Sequence, residues 1–192
     1  MPTLILASTS PSRRQLLERL QLPFTCERPG IDEEAVKRSL RDPRTVVQEL
    51  ARRKAAAVAA RQPDAIVIGS DQTASLGGEM LDKPGTAEIA CAQLQRLQGR
   101  EHHLLTAVAI VHARGQREFV DQTRLQMRKL TDEEIARYVA REQPLDCAGS
   151  YKIEALGIAL FERIDGADHT AITGLPLLQL GRELRALGFA MP

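Results

Sequence analysis

The sequence predicts a mixed α/β fold in which strands and helices alternate along one chain of 192 residues. Three observations favour this class. Short apolar runs bounded by turn residues indicate buried strands, as in residues 65–68 between Asp64 and Gly69. Apolar residues at three- and four-residue spacing indicate amphipathic helices. The pair Gly77-Gly78 between two short strands indicates a hairpin, which makes the sheet mixed rather than parallel.

The first predicted strand, residues 3–7, leads into a helix through a run of hydroxyl residues. Ser10 is a favoured N-cap, and Pro11 is favoured at the first helical position. A helix start of this kind can bind phosphate through backbone N–H groups, with Arg13 or Arg14 adding charge-assisted hydrogen bonds. In the simpler alternative, the serines only cap the helix and the arginines only face solvent.

Acidic residues and a lysine occur in the next two predicted elements, which follow a second strand over residues 23–28. The run Asp32-Glu33-Glu34 reads as the acidic first turn of a helix, and its pattern alone does not assign Glu33 to a metal. A helix over residues 44–61 has a buried stripe formed by Val47, Leu50, Ala51 and Val58. Lys54 lies in that helix, and a lysine considered in isolation is expected to be solvated.

Asp71 is the main candidate for chemistry. It follows the strand at residues 65–68 by only Gly69 and Ser70, so we expect it at the carboxyl end of the strand. Open α/β sheets bind ligands at that edge. A carboxylate there can hold a divalent cation or accept a proton from water. The alternative is that Asp71 opens a turn or caps the next element.

The remaining elements continue the alternation. Lys83-Pro84 forms a stiff turn after the hairpin and can return a lysine to the site of Asp71. Residues 146–157 are rich in small side chains and are predicted as a loop that lets backbone approach a ligand. Strands are predicted over residues 73–76, 79–81, 104–112, 118–127 and 158–164, and helices over residues 88–97, from the capping box at 131–134, and over 177–187.

Composition limits the partners. The net charge is +1 and aromatic residues make up only 3%, so the basic and stacking surface of a protein that binds long nucleic acid is missing. Three widely spaced cysteines predict reduced thiols in a cytoplasm. Neither a signal-peptide pattern nor an apolar run of about 18 residues, the length of a membrane span, is found. We therefore expect a soluble, cytoplasmic protein with a small-molecule ligand.

Taken together, these residues resemble the Maf family of nucleotide pyrophosphatases over the whole chain. The resemblance implies one domain, residues 1–192, with the two-lobed fold of inosine triphosphate pyrophosphatases around a central cleft. It also implies hydrolysis of a nucleoside triphosphate to the monophosphate and pyrophosphate with a divalent cation (Mg²⁺, Mn²⁺ or Co²⁺). The motifs that carry it are ASTSPSRRQLL, DEE at Asp32, LARRKA around Lys54, IGSDQ around Asp71, DKP at Lys83, LQGREHHLLTAV, CAGSYKIEALG and TGLPLLQL.

The resemblance also implies roles for single residues. The catalytic candidates are Asp71, Lys54 and Lys83, with Glu33 and Asp71 as metal ligands. The substrate-binding candidates are Ser8, Ser12, Arg13, Gln72, Lys152 and Glu154.

Two of these residues, Gln72 and Glu154, resemble the branch of the family that acts on 7-methyl-GTP, whereas the branch acting on dTTP and UTP carries Thr and Gln there. The carboxylate of Glu154 suits a methylated guanine, which presents N1–H and N2–H donors that a pyrimidine lacks. Ser12 and Ala155 depart from the pattern of the 7-methyl-GTP branch.

Two alternatives stay open. One is a dTTP/UTP pyrophosphatase of the same family. The other is a nucleotide-binding regulator of cell division without significant turnover, against which an unpaired carboxylate at Asp71 would argue, because it repels phosphates. A homodimer is kept as a candidate assembly.

Overall fold

The computed structural model describes residues 3–192 and shows a mixed α/β architecture, which confirms the predicted fold class. The strands are β1 (Leu4–Leu6), β2 (Thr25–Cys26), β3 (Ile66–Leu76), β4 (Glu79–Leu81), β5 (Glu101–His112), β6 (Gly115–Met127) and β7 (Phe161–Asp165). The helices are α1 (Pro11–Glu18), α2 (Glu33–Ser39), α3 (Pro43–Ala59), α4 (Ala87–Leu97), α5 (Asp132–Glu142) and α6 (Leu177–Ala186). Short 3₁₀ turns cover Ala148–Ser150, Leu156–Leu160 and His169–Thr173.

The strands form a seven-stranded sheet in the order β2-β1-β3-β5-β6-β7, with β4 paired to β3. The chain divides into two compact units. The first unit contains the chain up to Asp71 together with Thr106–Asp121 and Asp168–Pro192. The second unit contains Gln72–Leu105 and Gln122–Ala167. Strands β3, β5 and β6 contribute residues to both units.

The first unit is built on parallel pairing of β1 with β2 and β3. Its apolar core is made by alternate residues of the strands and by the leucines of α1 and α6, including Leu6, Leu17, Ile68, Leu180 and Leu184. Ser10 caps α1 and Pro11 begins it, as predicted, because the Ser10 hydroxyl accepts from the Arg13 N–H at 3.4 Å. The predicted buried stripe of α3 is also confirmed.

Strand β3 does not end before Asp71 as predicted, but continues to Leu76. The sequence predicts Gly69 as the turn residue that ends the strand, whereas the structure gives it a packing role. A Cβ on Gly69 would lie 2.2 Å from the Ala51 carbonyl oxygen and 2.6 Å from the Ala55 nitrogen, both in α3. The missing side chain therefore lets α3 lie directly against β3. Since strand side chains alternate, Asp71 faces the same side as Gly69.

A Gly69→Ala variant is expected to lose about 1–3 kcal/mol of stability, because backbone atoms of α3 must move to admit the methyl group. Thermal denaturation measures this loss. The matched control is Gly181→Ala in α6, where an added Cβ meets only the Arg185 Nη1 at 3.6 Å. Alanine there should raise stability by about 0.5–1 kcal/mol. Equal melting temperatures for the two variants would contradict the packing role of Gly69.

The second unit contains the predicted hairpin between β3 and β4. Gly77 and Gly78 have φ angles of 61° and 86°, the pair of left-handed conformations that a two-residue turn requires. Helix α4 packs against α5. The capping box at the start of α5 is confirmed, with Thr131 and Glu134 each bonded to the other's backbone.

The strand predicted over residues 158–164 is partly wrong. Residues Leu156–Leu160 form a 3₁₀ turn, and β7 pairs with β6 only over Phe161–Asp165. The reason is local packing: a Cβ on Gly157 would lie within 3 Å of three backbone atoms of Lys152. The chain turns sharply there and reaches extended geometry only afterwards.

None of the helices in residues 3–192 has both the length and the apolar character that crossing a membrane requires. Cys26, Cys91 and Cys147 are free cysteines.

Candidate active site

One buried ammonium group is held by two carboxylates in the first unit. The Nζ of Lys54 donates to Asp71 Oδ1 at 2.6 Å and lies 2.9 Å from Glu33 Oε1. The Lys54 and Asp71 side chains are 7% and 12% exposed, whereas Glu33 is 45% exposed. Each element supplies one group: α3 the lysine, β3 the aspartate, and the first turn of α2 the glutamate.

Three expectations about this cluster are corrected. Lys54 is not solvated, because it lies on the core-facing side of α3, and Asp71 neither opens a turn nor caps a helix. Asp71 is also not an unpaired carboxylate, since Lys54 compensates its charge. The spacing of α3 could have placed Lys54 correctly, because position 54 follows Val47, Leu50 and Ala51 by seven, four and three residues.

Arg13 adds a second cation to the same cluster. Burial lowers the pKa of Arg13 from its ordinary value, while the negative charges of Asp71 and Glu33 act in the opposite direction. An arginine stays protonated at neutral pH even so. The cluster therefore combines two carboxylates with two cations, an arrangement in which charge is balanced without substrate.

The backbone carbonyl of Gly174 positions two side chains near this cluster. It accepts from the Nε of Arg13 at 3.0 Å and from the Oγ of Ser70 at 3.0 Å. Because Nε bonds to Gly174, the plane of the Arg13 guanidinium is held by the protein itself. Gly174 has a φ of 110°, in the left-handed region that favours glycine.

A buried carboxylate that the sequence analysis missed holds the segment before Gly174. Asp168 Oδ1 accepts from the Thr170 N–H and hydroxyl at 2.9 and 2.6 Å, and Asp168 Oδ2 accepts from the Leu178 N–H at 2.7 Å. The Thr106 hydroxyl donates to the Ala171 carbonyl at 2.9 Å. The signal for Asp168 is an aspartate two residues before a threonine, a pattern typical of side-chain-to-backbone turns.

A Gly174→Ala variant is expected to lower both stability and activity. Its positive φ costs an alanine about 1–3 kcal/mol, and the new Cβ would lie 3.3 Å from the Arg13 Nε. Gly188→Ala is the matched control, because Gly188 also has a positive φ of 95° but nothing lies within 4 Å of its Cβ position. Thermal denaturation and initial rates should show a similar stability loss in both variants and an activity loss only at Gly174. Equal activities would contradict the positioning of Arg13 by Gly174.

The hydroxyls of Ser8 and Ser10 at the start of α1 accept hydrogen bonds from nearby backbone N–H groups. Ser8 is buried, and its Oγ accepts from the Ser10 N–H at 3.1 Å. Pro11 has no N–H, and the N–H groups of Arg13 and Arg14 bond to Ser10. The first turn thus offers a phosphate fewer donors than a bare helix N-terminus would. Phosphate contacts by Ser8 and Ser12 stay predictions.

The structure places the other predicted residues in the second unit: Gln72, Lys83, Lys152 and Glu154. Lys83 and Glu154 are exposed. Lys152 is anchored at both ends, because its N–H donates to the Tyr138 hydroxyl at 3.0 Å and its Nζ donates to the Glu142 carbonyl at 3.3 Å. Their roles toward a substrate stay predictions.

A small aromatic cluster supports the segment that carries Lys152. Tyr151 is buried, its hydroxyl lies 3.0 Å from His102 Nε2, and its ring packs edge-on against Phe161. Burial lowers the pKa of His102 to about 4 and raises the pKa of Tyr151. Both groups are therefore neutral at physiological pH, and His102 is a structural histidine.

A divalent cation fits the cluster only if phosphate oxygens of a bound substrate supply further ligands. No group of three or more histidine, cysteine or acidic side chains suited to a metal occurs in residues 3–192. Asp71 and Glu33 nevertheless place carboxylate oxygens around one positive charge, the Lys54 ammonium. Mg²⁺ is commonly bound by one or two carboxylates together with substrate phosphates. The two acidic residues match that pattern.

Comparison with known proteins identifies the family. The model for Maf-like protein matches residues 3–187 of the chain. The chain belongs to the Maf-like protein family. This confirms the resemblance on which the residue roles were based. The Maf motifs around Lys54 and Asp71 are the segments that build the buried cluster.

Two relatives match over nearly their full length. The chain is 52% identical over 191 residues to a protein named 7-methyl-GTP pyrophosphatase from Aromatoleum aromaticum, covering 98% of this chain and 97% of that one. It is 51% identical over 192 residues to a protein of the same name from Xanthomonas oryzae pv. oryzae, covering 100% of both.

A solved structure of a nucleoside-triphosphatase / dITP/XTP pyrophosphatase from Mycobacterium abscessus has a TM-score of 0.47 and 12% identity, covering 98% and 100% of the two chains. An overlap this loose carries no inference about fold or function.

Proposed function

We propose that this chain is a nucleoside triphosphate pyrophosphatase whose preferred substrate is 7-methyl-GTP. The observation that carries the proposal is the buried Lys54 between Asp71 and Glu33, in a chain about half identical to proteins named 7-methyl-GTP pyrophosphatase. Water hydrolyses the bond between the α-phosphorus and the oxygen that bridges it to the β-phosphorus. It yields 7-methyl-GMP and pyrophosphate, and it would remove a modified nucleotide from the cellular pool.

In the proposed reaction, Asp71 is the general base. A water molecule attacks the α-phosphorus, one of its protons passes to the Asp71 carboxylate, and the bond to pyrophosphate breaks. Lys54 keeps Asp71 in place and offers its positive charge to phosphate oxygens. Arg13 and Lys83 add further positive charge. Stabilising the negative charge that grows on the phosphate oxygens supplies most of the catalysis in phosphoryl transfer.

Asp71 and Glu33 are the residues that would hold a divalent cation, with phosphate oxygens completing its ligands. When bound, Mg²⁺ or Mn²⁺ supplies charge neutralisation to the triphosphate. The identity of the ion stays a prediction, as do the cytoplasmic location and a homodimer.

The base preference is assigned to Glu154, an exposed residue of the second unit. Glu154 accepts from the N1–H and N2–H donors of 7-methylguanine, and its negative charge also favours the positive charge that N7 methylation creates. Gln72 and Lys152 are the accompanying substrate-binding candidates, and Ser12 is the candidate in the first unit. A dTTP/UTP specificity remains the alternative that a substrate panel decides.

Pyrophosphate release from 7-methyl-GTP, GTP, dTTP, UTP, CTP and ITP, each with Mg²⁺ or Mn²⁺, tests the proposal. We expect the highest kcat/KM with 7-methyl-GTP. In a Glu154→Gln variant kcat/KM for 7-methyl-GTP should fall about 10-fold or more, because a hydrogen bond to a charged acceptor contributes about 1.5–3 kcal/mol. The preference over GTP should fall as well, because only the methylated base carries the positive charge that the Glu154 carboxylate favours. A preference for dTTP and UTP would overturn the substrate assignment. Nucleotide binding without any turnover would favour a regulator instead.

A further inference from the structure

A buried amide in α4 joins two segments of the second unit that are far apart in sequence. The Nε2 of Gln93 donates to the Asp82 carbonyl at 2.9 Å, and its Oε1 accepts from the Ser150 hydroxyl at 2.6 Å. The orientation of this amide is dictated by its partners, because a carbonyl can only accept and must therefore face the NH₂ group. Gln93 is buried, as is Ser150.

Both bridged segments lead directly to candidate site residues. The Asp82 carbonyl belongs to the peptide bond that Asp82 shares with Lys83, so the Gln93 bond orients the peptide plane from which Lys83 extends. Ser150 stands two residues before Lys152 and four before Glu154. A backbone bond from the Gly85 N–H to the Leu145 carbonyl at 3.0 Å links the same two regions a second time.

The segment at Ser150 has a conformation that requires such support. Gly149 and Ser150 have successive positive φ angles of 77° and 63°, and the second is unusual for a residue with a side chain. Beyond Ser150, two hydrogen bonds hold the chain: one joins the Tyr151 hydroxyl to the His102 ring, and the other runs from the Lys152 N–H to the Tyr138 hydroxyl. At Ser150 itself, the backbone N–H donates to the Cys147 carbonyl at 3.0 Å, and the bond to Gln93 holds the side chain.

We propose that Gln93 is a positioning residue that couples the turn carrying Lys83 to the segment carrying Lys152 and Glu154. This inference rests on the proposed function, in which Lys83 contacts phosphate and Glu154 reads the base. The amide serves both ends of the bridge, because its NH₂ group donates to the Asp82 carbonyl and its oxygen accepts from the Ser150 hydroxyl. Gln93 thereby keeps the phosphate and base contacts in a constant relative arrangement within the second unit.

Two substitutions cut the bridge at different ends. Gln93→Glu still accepts from Ser150 but brings a carboxylate oxygen against the Asp82 carbonyl. Ser150→Ala removes the other bond with almost no change in volume. Gln95→Glu is the matched control, since Gln95 lies on the same helix but is exposed and donates to Asp132 at 3.0 Å. The readouts are kcat and KM for 7-methyl-GTP and GTP, melting temperature, and dissociation constants of the non-hydrolysable α,β-methylene analogues.

We expect Gln93→Glu to lower kcat/KM about 10²-fold, the effect of a displacement on the order of 1 Å. Ser150→Ala should reduce the preference for 7-methyl-GTP over GTP about 2- to 10-fold, as expected for one neutral hydrogen bond. The double variant should lose no more than Gln93→Glu alone, because both substitutions break one bridge. Gln95→Glu should stay within about twofold of the unchanged protein.

A purely structural Gln93 would lower the melting temperature but leave kcat and base preference of the folded protein unchanged, and that result would overturn the proposal. If Gln93→Glu does not fold, Ser150→Ala alone decides in the same way. If the unchanged chain binds nucleotide without turnover, the proposed reaction fails, yet weaker analogue binding by both variants would still support the bridge. Absence of analogue binding by the unchanged chain would overturn both.

Discussion

The Asp71→Asn variant is expected to lose turnover by about 10²- to 10⁴-fold, because an amide cannot accept the proton of the attacking water. The fold should survive the change. The oxygen of the introduced amide can still accept a hydrogen bond from Lys54, which also keeps its contact with Glu33, so the stability loss should not exceed about 3 kcal/mol. Pyrophosphate release and thermal denaturation measure the two effects separately.

The Asp71→Asn variant should also continue to bind nucleotide when divalent cations are chelated, since without a cation the removal of a negative charge beside phosphates does not weaken their binding. Its dissociation constant for the α,β-methylene analogue of 7-methyl-GTP is the control for an intact site. Retention of more than about a tenth of the turnover in a folded protein would show that Asp71 is not the general base.

The Lys54→Met variant is expected to lose both turnover and stability. Methionine fills a similar volume but leaves Asp71 buried without its main counter-ion, and breaking a buried pair in this way costs about 3–5 kcal/mol. In a chain of this length that corresponds to a drop of roughly 6–20 °C in Tm. Lys83→Met is the matched control, because Lys83 is exposed and its loss should leave Tm nearly unchanged.

Divalent cations should distinguish the two lysine variants further. Without the Lys54 ammonium, Asp71 and Glu33 repel each other, so a cation that binds both relieves the repulsion and stabilises the folded state. We expect Mn²⁺ without nucleotide to raise the Tm of Lys54→Met more than that of the unchanged chain or of Lys83→Met. An equal rise in all three would contradict the assignment of Asp71 and Glu33 as the cation ligands.

Local patterns were sufficient for most of the helices and turns. Three of these signals depend only on residues close together in the sequence: the Ser10-Pro11 start of α1, the capping box at Thr131 and the glycine pair of the hairpin. Such signals do not depend on the rest of the chain, and the structure confirms them. The predicted end of β3 is wrong because a small residue ends a strand in one context and lets a helix pack closely against the strand in another. Only the position of α3 distinguishes the two roles of Gly69.

Residue types alone therefore established the α/β class, the element order and, through the family motifs, the residues that could perform the chemistry. The environment of those residues depended on tertiary structure. Lys54 and Asp71 are 17 positions apart, and their pairing depends on how closely α3 packs on β3. Arg13 is oriented by Gly174, which lies 161 positions away. Contacts between residues so distant in sequence leave no local periodicity, because they form only when the packed core brings their backbones together.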